Sequence, residues 1–373
     1  MANLKVMLED NKVTPIKLKV VGVGGGGGKI VGRLGPNFEG IDFIGIDTDA
    51  QALHLLSVPF KVQIGEKITG GIGGAGCDPE KGKFAANEDR GKISELLKNT
   101  HILFLVCGLG GGTGTGAAPV IGKIAKDLGS LVIGISTMPF KWEKKDMNAQ
   151  LGYENLKNVV DTLICIPNEK LQEIVDRDTP FIEAFKKVDE VVGRCISAVY
   201  DLINKPSHIM DLDFTDIKRV LENGGKGLVG IGKATGEKKA VKALKSALSD
   251  PLLGEHELPE AKNILVSIIG SHDLSLPDVA EAMQTIQDIS SLNKVAFGLS
   301  IDEGLNDEAN VTLMATGIEE SKQPKKKIMS EQKNKPSEPN IFTTEEEIKE
   351  EEYKIPPSLR KKSINPNLED KQT

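Results

Sequence analysis

The stretch Gly110-Gly-Gly-Thr-Gly-Thr-Gly116 constrains this chain more than any other. A run limited to glycine and threonine serves no ordinary turn. It follows an apolar segment, Leu103-Phe-Leu-Val-Cys107, and leads into a helix-forming one, Ala117-Ala-Pro-Val-Ile-Gly-Lys. Strand, glycine loop and helix in that order bring backbone N–H groups and a helix N-terminus to one point, which suits phosphate oxygens. Thr113 and Thr115 add hydroxyl donors.

A second glycine run, Gly24 to Gly28, also follows an apolar strand, Lys19-Val-Val-Gly-Val23, and precedes Lys29-Ile-Val-Gly-Arg33. Glycine lets the backbone turn tightly and approach a diphosphate, although a flexible turn would look the same. The Walker pattern fails, because its first glycine falls on Val23 and Ile30 stands where Ser or Thr is required. The dinucleotide pattern fits as Gly22-x-Gly24-x-x-Gly27, with Asp47 about 20 residues on, so a nicotinamide-binding reading stays open. Two phosphate loops on neighbouring strands nevertheless suit one triphosphate better than a dinucleotide.

The loops sit in a regular frame. Further apolar runs are Ile41-Asp-Phe-Ile-Gly-Ile46, Leu131-Val-Ile-Gly-Ile135 and Leu163-Ile-Cys-Ile166. Strands this uniformly apolar are buried on both faces of a parallel sheet, and their alternation with helices predicts a doubly wound α/β domain. All its strand-end loops gather along one edge, where ligands bind. Phe181 to Ile203 reads as a long helix, with Phe185, Val188, Val192, Ile196 and Val199 at helical spacing. An α+β unit follows, with strands Ile264 to Ile269, Val295 to Leu299 and Val311 to Ala315 and a helix Val279 to Ile289.

After Gly317 the chain turns to Lys325-Lys-Lys, Glu345-Glu-Glu and prolines, which is the composition of a disordered linker. It ends in a mixed patch, Tyr353-Lys-Ile-Pro-Pro-Ser-Leu-Arg360. The expected division is an N-terminal extension (1–15), an α/β domain (16–180), a central helix (181–205), a second α+β domain (206–318), a linker (319–352) and a terminal peptide (353–373).

Composition excludes several functions. Lys+Arg 47 against Asp+Glu 54 gives a net charge of −7, and aromatic residues make up 4%, so neither a basic footprint nor stacking platforms for nucleic acid are present. No apolar run approaches the roughly 18 residues of a membrane span, and the first residues lack a signal-peptide core. Cys77, Cys107, Cys165 and Cys195 stand far apart without a CxxC, so disulfide and zinc readings fail and a reduced, cytosolic chain is expected.

Gly110 to Gly116 resembles the signature of the tubulin/FtsZ family of GTPases. The likeness covers roughly residues 16–318. It includes Asp49-Ala-Gln-Ala-Leu53, Ile64-Gly-Glu-Lys, Ala117-Ala-Pro-Val120, Ile166-Pro-Asn168, Ser249-Asp-Pro-Leu-Leu253 and Ala315-Thr-Gly317. It is closer to the bacterial cell-division branch, FtsZ, than to eukaryotic tubulin. Ile355-Pro-Pro-Ser-Leu-Arg360 looks like that branch's terminal docking peptide.

The resemblance implies a parallel-sheet GTP-binding domain, a long central helix, a second α+β domain and a disordered tail. It also implies GTP or GDP in the site, with Mg²⁺ bound through the phosphates and no metal site of the protein's own. The expected partner is a second copy of the chain, in head-to-tail filaments of the division ring beneath the inner membrane, in the cytoplasm. Membrane-tethering division proteins would dock on residues 353–362, with no nucleic acid and no direct membrane insertion.

Site residues follow from the same resemblance. Gly25, Gly26, Gly27, Gly28 and Lys29, with Gly111, Gly112, Thr113, Gly114, Thr115 and Gly116, would hold the phosphates. Glu143 would contact the ribose, Asn168 would lie beside the nucleoside, Phe185 would pack on the base and Asp189 would meet its polar edge. Guanine offers two N–H donors there and a carboxylate accepts both, whereas adenine lacks the pair. Without the resemblance, Phe185 reads as core and Asp189 equally as a solvated helix face.

Asp213 and Asp216 match the family's paired catalytic acids, which reach the γ-phosphate of the next subunit; alone they read as an N-cap and a first-turn acid. The sequence departs from the family at Asp47, Asp78, Asp189 and Asp211, where Asn is usual, and at Lys29. An expected arginine after Glu143 is missing, with Lys145 nearby, and the tail carries Lys354 and Ser358 in place of an acid and an aromatic. Two alternatives remain: a divergent nucleotide-binding filament with little hydrolysis, and a nicotinamide enzyme.

Overall fold

Short apolar strands alternate with helices over the first half of the chain, and the strands pair side by side in parallel. The computed structural model describes residues 16–70, 73–204, 213–253, 258–289 and 294–318. The first half comprises β1 (Leu18–Val23), α1 (Gly24–Leu34), β2 (Asp42–Asp47), α2 (Ala50–His54), β3 (Phe60–Gln63), α3 (Glu66–Thr69), α4 (Pro79–Glu88) and α5 (Arg90–Leu97). It continues through β4 (Ile102–Gly108), α6 (Thr113–Asp127), β5 (Leu131–Met138), α7 (Asp146–Lys157), β6 (Thr162–Pro167), α8 (Leu171–Ile174) and the long α9 (Phe181–Asn204). The second half holds α10 (Phe214–Leu221), β7 (Gly225–Thr235), α11 (Lys239–Leu248), β8 (Asn263–Gly270), α12 (Leu276–Ile289), β9 (Lys294–Ile301) and β10 (Glu308–Ile318).

The strands form one sheet in the order β3-β2-β1-β4-β5-β6-β7-β10-β8-β9. Pairing is parallel from β3 through β7. It becomes antiparallel on both sides of β10, and β8 pairs with β9 in parallel. From β1 the chain builds outward to β2 and β3, and from β4 it builds the other way. The point between β1 and β4 is therefore where strand order reverses, the place at which such sheets open a ligand crevice.

Alternate residues of the strands feed two apolar layers. Val20, Phe104, Ile133 and Ile164 pack with α1 and α9 on one face. Val21, Leu103, Leu105 and Val132 pack with α4 to α7 on the other. Burying each such side chain contributes about 1.5–3 kcal/mol. Helix α9 lies along the first face of both halves, because Val192, Ile196 and Val199 share a cluster with Val229, Leu265 and Met314. Helices α11 and α12 cover the opposite face of the second half. All four cysteines are free, and burial pushes the Cys107 and Cys195 thiols up to about 12, which keeps them inert.

Helix α10 begins at Phe214, with Asp213 as its N-cap. Two strands escape the sequence reading. Strand β3, at the sheet edge, is too short and exposed to show as an apolar run. Strand β7 reads as a loop because of its glycines. Those glycines admit α11: a Cβ at Gly230 would lie 2.3 Å from the Ala247 carbonyl oxygen, and one at Gly232 would lie 1.8 Å from that of Ala243.

Candidate functional site

Val23, the last residue of β1, pairs with Cys107 of β4, so the two glycine segments leave the sheet side by side. They differ from the expected loops, since Gly24 to Gly28 already form the first turns of α1, while α6 starts at Thr113. Glycine is needed because three backbones meet here. A Cβ at Gly27 would sit 2.2 Å from the Val106 oxygen, one at Gly24 would sit 2.7 Å from the Gly114 nitrogen, and one at Gly114 would sit 2.5 Å from the Gly108 oxygen.

Gly28, Gly112 and Gly116 serve packing in the same way, against Leu56, Ala75 and Pro79. Gly25 and Gly111 are different: a Cβ on either would meet nothing within 4 Å. Neither helix start carries a side-chain cap. Their first N–H groups, which no helix can satisfy internally, are thus available to an anion.

A cleft of about 640 Å³ opens beside these starts. Gly26, Lys29, Gly111, Glu143, Asn168 and Phe185 all line it, so six of the expected residues come together. Phe185 is half-buried and stands edge-on to Phe140 (6.3 Å, 82°) and Phe181 (5.0 Å, 62°). Its ring packs on the core and lines the cleft at once, which merges the two sequence readings. Asn168 is 7% exposed, and its Oδ1 is buried without a hydrogen-bond partner. An unsatisfied buried acceptor costs about 1–3 kcal/mol, which a donor such as a hydroxyl would recover.

Two carboxylates at the cleft, Glu143 and Asp189, are each paired with a basic side chain. Glu143 accepts from Lys145 Nζ at 2.9 Å and from the Phe140 N–H at 3.0 Å. This contact holds the Lys145 ammonium above its ordinary pKa. Asp189 is not on a solvated face; its carboxylate is buried and takes a fork from Arg33, through Nε to Oδ2 and through Nη2 to Oδ1 at 2.7 Å. Arg33 itself lines the cleft, whereas Asp189 lies behind it.

The threonines turn inward. Thr115 Oγ1 accepts the Gly110 N–H at 2.9 Å, and Thr113 Oγ1 lies 2.7 Å from Thr48 Oγ1. Both brace the loop, in contrast to the expected hydroxyl contact with phosphate. Asp47, which the dinucleotide reading places on a ribose, is buried and accepts the N–H groups of Thr48 and Asp49 instead. Burial raises its pKa, with those N–H groups pulling the other way.

Asp213 and Asp216 are elsewhere. Asp213 Oδ1 accepts the Asp216 N–H at 2.8 Å, and Asp216 pairs with Arg219 at 3.5 Å. Next to them, the Phe214 ring lies 6.5 Å from His101, the residue before β4. The far end of α10 is tied to the first residue of β6 by Thr162 Oγ1 donating to the Leu221 carbonyl. Helix α10 thus runs along the N-terminal edge of the strands, while the glycine segments occupy the C-terminal edge. At about 3.3 Å per residue, β4 separates the two by roughly 20 Å. Asp211, the N-terminal extension, the linker and the peptide at 353–362 lie outside the described residues.

The sequence reading missed Arg33, Thr137, Pro139, Phe181 and Ile182 as cleft walls. The last two precede Phe185 on α9 and could have been taken from its helical phase. Nothing in one sequence joins Arg33 to a residue on α9.

Residues 17–176 match the Tubulin/FtsZ family, GTPase domain, and residues 225–319 match the FtsZ family, C-terminal domain. An FtsZ dimer of M. jannaschii is 39% identical over 82% of this chain and 89% of that one, with a TM-score of 0.76. CetZ2 from Haloferax volcanii, solved as a GTPgS-bound protofilament, shares the fold at 22% identity over 82% of this chain and 94% of that one, with a TM-score of 0.70. With both domains matched in order and an FtsZ 39% identical over 82% of the chain, the chain belongs to the tubulin/FtsZ family, on its FtsZ branch.

Proposed function

We propose that the chain binds GTP in the cleft, polymerises head to tail, and hydrolyses the GTP of one subunit with the aspartates of the next. The observation that carries this is the separation of the two half-sites. Glu143 is the one carboxylate among the described residues lining the cleft, and Lys145 neutralises it. No acid there is placed to orient an attacking water. Asp213, exposed, and Asp216, half-buried, lie at the opposite edge of the sheet, so they reach a cleft only on a second molecule stacked in the same polarity. Such heterologous contacts do not close and therefore build filaments.

In this reading the starts of α1 and α6 and Lys29 hold the phosphates. Asn168 Oδ1 accepts from a ribose hydroxyl, Phe185 stacks on the base, and Asp189 takes the two guanine donors. Asp213 and Asp216 of the neighbour position water at the γ-phosphate and take up its proton, which is the main demand of phosphoryl transfer. Among the described residues no group of three or more metal-ligating side chains forms a cage. On this reading Mg²⁺ would be held through the phosphates and neutralise their charge.

Among the described residues no helix is long and apolar enough to cross a membrane. In this reading anchoring at a division site falls to tethering proteins docked on residues 353–362, with the filament in the cytoplasm. A filament with little hydrolysis is favoured by one observation: Asp213 is engaged as a helix cap and Asp216 by Arg219. Phosphate release measured against protein concentration tests the main reading. Turnover per subunit should rise from near zero as filaments form, with GTP and not with ATP. Constant turnover down to dilute monomer would contradict a shared site.

A further inference from the structure

Neither the phosphate-binding starts nor the aspartates of α10 account for the Arg33–Asp189 pair. Arg33 is in the last turn of α1 and Asp189 is on α9, so the contact joins the two helices that frame one side of the cleft. Its fork is complete, with Nε and Nη2 each donating to a different carboxylate oxygen. The carboxylate is 10% exposed and the arginine side chain 44%, and of the two only Arg33 lines the cleft. The guanidinium therefore stands between Asp189 and the ligand space.

We propose that Arg33 is a latch on base recognition, occupying the edge of Asp189 that a guanine needs, so that a guanine nucleotide enters by exchanging places with it. This rests on the reading that Asp189 accepts the guanine donors. A carboxylate has one edge on which two parallel N–H groups can be accepted together. The arginine fork and the N1–H and N2–H of guanine present the same parallel pair, so only one of them fits at a time. Phe185 lies one helical turn before Asp189 on the same face of α9, which puts the edge of a base stacked on Phe185 level with the latch.

An unpaired buried carboxylate is costly, so Arg33 withdraws only as the two guanine donors arrive, and it returns as they leave. The latch thus lowers the affinity for guanine nucleotides and speeds their release. Adenine, with a single exocyclic donor beside an acceptor nitrogen, does not displace the fork.

The test is stopped-flow binding of a fluorescent GDP analogue to the full chain and its variants. Arg33→Met keeps the apolar stem and removes the fork. It should bind GDP about tenfold tighter, through slower release, which is the size expected for removing a competing charge-assisted pair. Arg33→Lys, which keeps the charge without the fork, should fall between Arg33→Met and the parent and guards against a folding defect in the first variant. Unchanged or weaker GDP binding in both variants overturns the latch. Asp189→Ala separates this failure from failure of the base reading. If Asp189→Ala binds GDP as well as the parent, Asp189 does not read guanine and the latch falls with it. If Asp189→Ala loses binding while Arg33→Met gains none, the base reading stands and the latch alone is wrong.

Discussion

On the proposed function, the two ends of β4 carry different halves of one chemistry. At its C-terminal end backbone does most of the work: glycines let α1, β4 and α6 approach, two uncapped helix starts face the crevice, and Glu143 is paired with Lys145. At its N-terminal end side chains do it, with two acids at the start of α10, Asp213 exposed and Asp216 half-buried. Capping uses only Oδ1 of Asp213, which orients the carboxylate. The edge proposed to bind nucleotide is built from packed backbone, whereas the edge proposed to meet a partner is left open. On that proposal, neither edge is a complete site within one subunit.

This contrast can be broken most sharply at the acid edge. Asp213→Asn keeps the cap and removes the charge, so monomers should bind GTP normally while turnover falls about 10²–10⁴-fold. Turnover in filaments together with nucleotide binding by dilute protein checks it. At the glycine edge, two substitutions should behave oppositely. Gly27→Ala drives a Cβ to 2.2 Å from the Val106 oxygen and should cost about 1–3 kcal/mol of stability, read as a lowered Tm. Gly111→Ala meets nothing within 4 Å, so it should leave Tm unchanged and weaken GTP binding, because the added methyl lies where the phosphates belong.

A smaller effect is expected at Asp47. Its pKa is raised by burial, so the folded state holds it neutral to higher pH than the unfolded chain does, and stability is lost as pH rises through the raised value. Asp47→Asn keeps an acceptor for the Thr48 and Asp49 N–H groups. It should raise Tm at pH 7 by on the order of 2 °C and by less at pH 4. Deleting residues 353–373 should change neither filament formation nor GTP turnover, and should remove binding of a partner protein. A large loss of turnover would show that the tail takes part in the site.

The parallel strands were legible because residues buried on both faces leave uniformly apolar runs, and their alternation with helices marked a doubly wound α/β domain. Strand β7 was hidden because its glycines are there for α11, a contact made only after folding. The glycine segments announced a phosphate site, yet most of their glycines are fixed by packing, and the inward turn of Thr113 and Thr115 depends on Thr48 and Gly110. Arg33 and Asp189 lie 156 residues apart, so no local pattern could pair them. Family likeness marked Asp213 and Asp216, but only the fold placed them across the sheet from the cleft.

The shared site is tested most directly by mixing two inactive variants. Asp213→Asn supplies bound GTP without its acid, and a variant disabled at Gly114 by a bulky substitution supplies intact aspartates without a nucleotide site. If the acids act across the subunit contact, the mixture should hydrolyse GTP at contacts of the right polarity, well above the sum of the two separate rates. If the mixture is no more active than that sum while the two variants copolymerise, Asp213 acts within its own subunit or only caps α10, and the intersubunit account is contradicted.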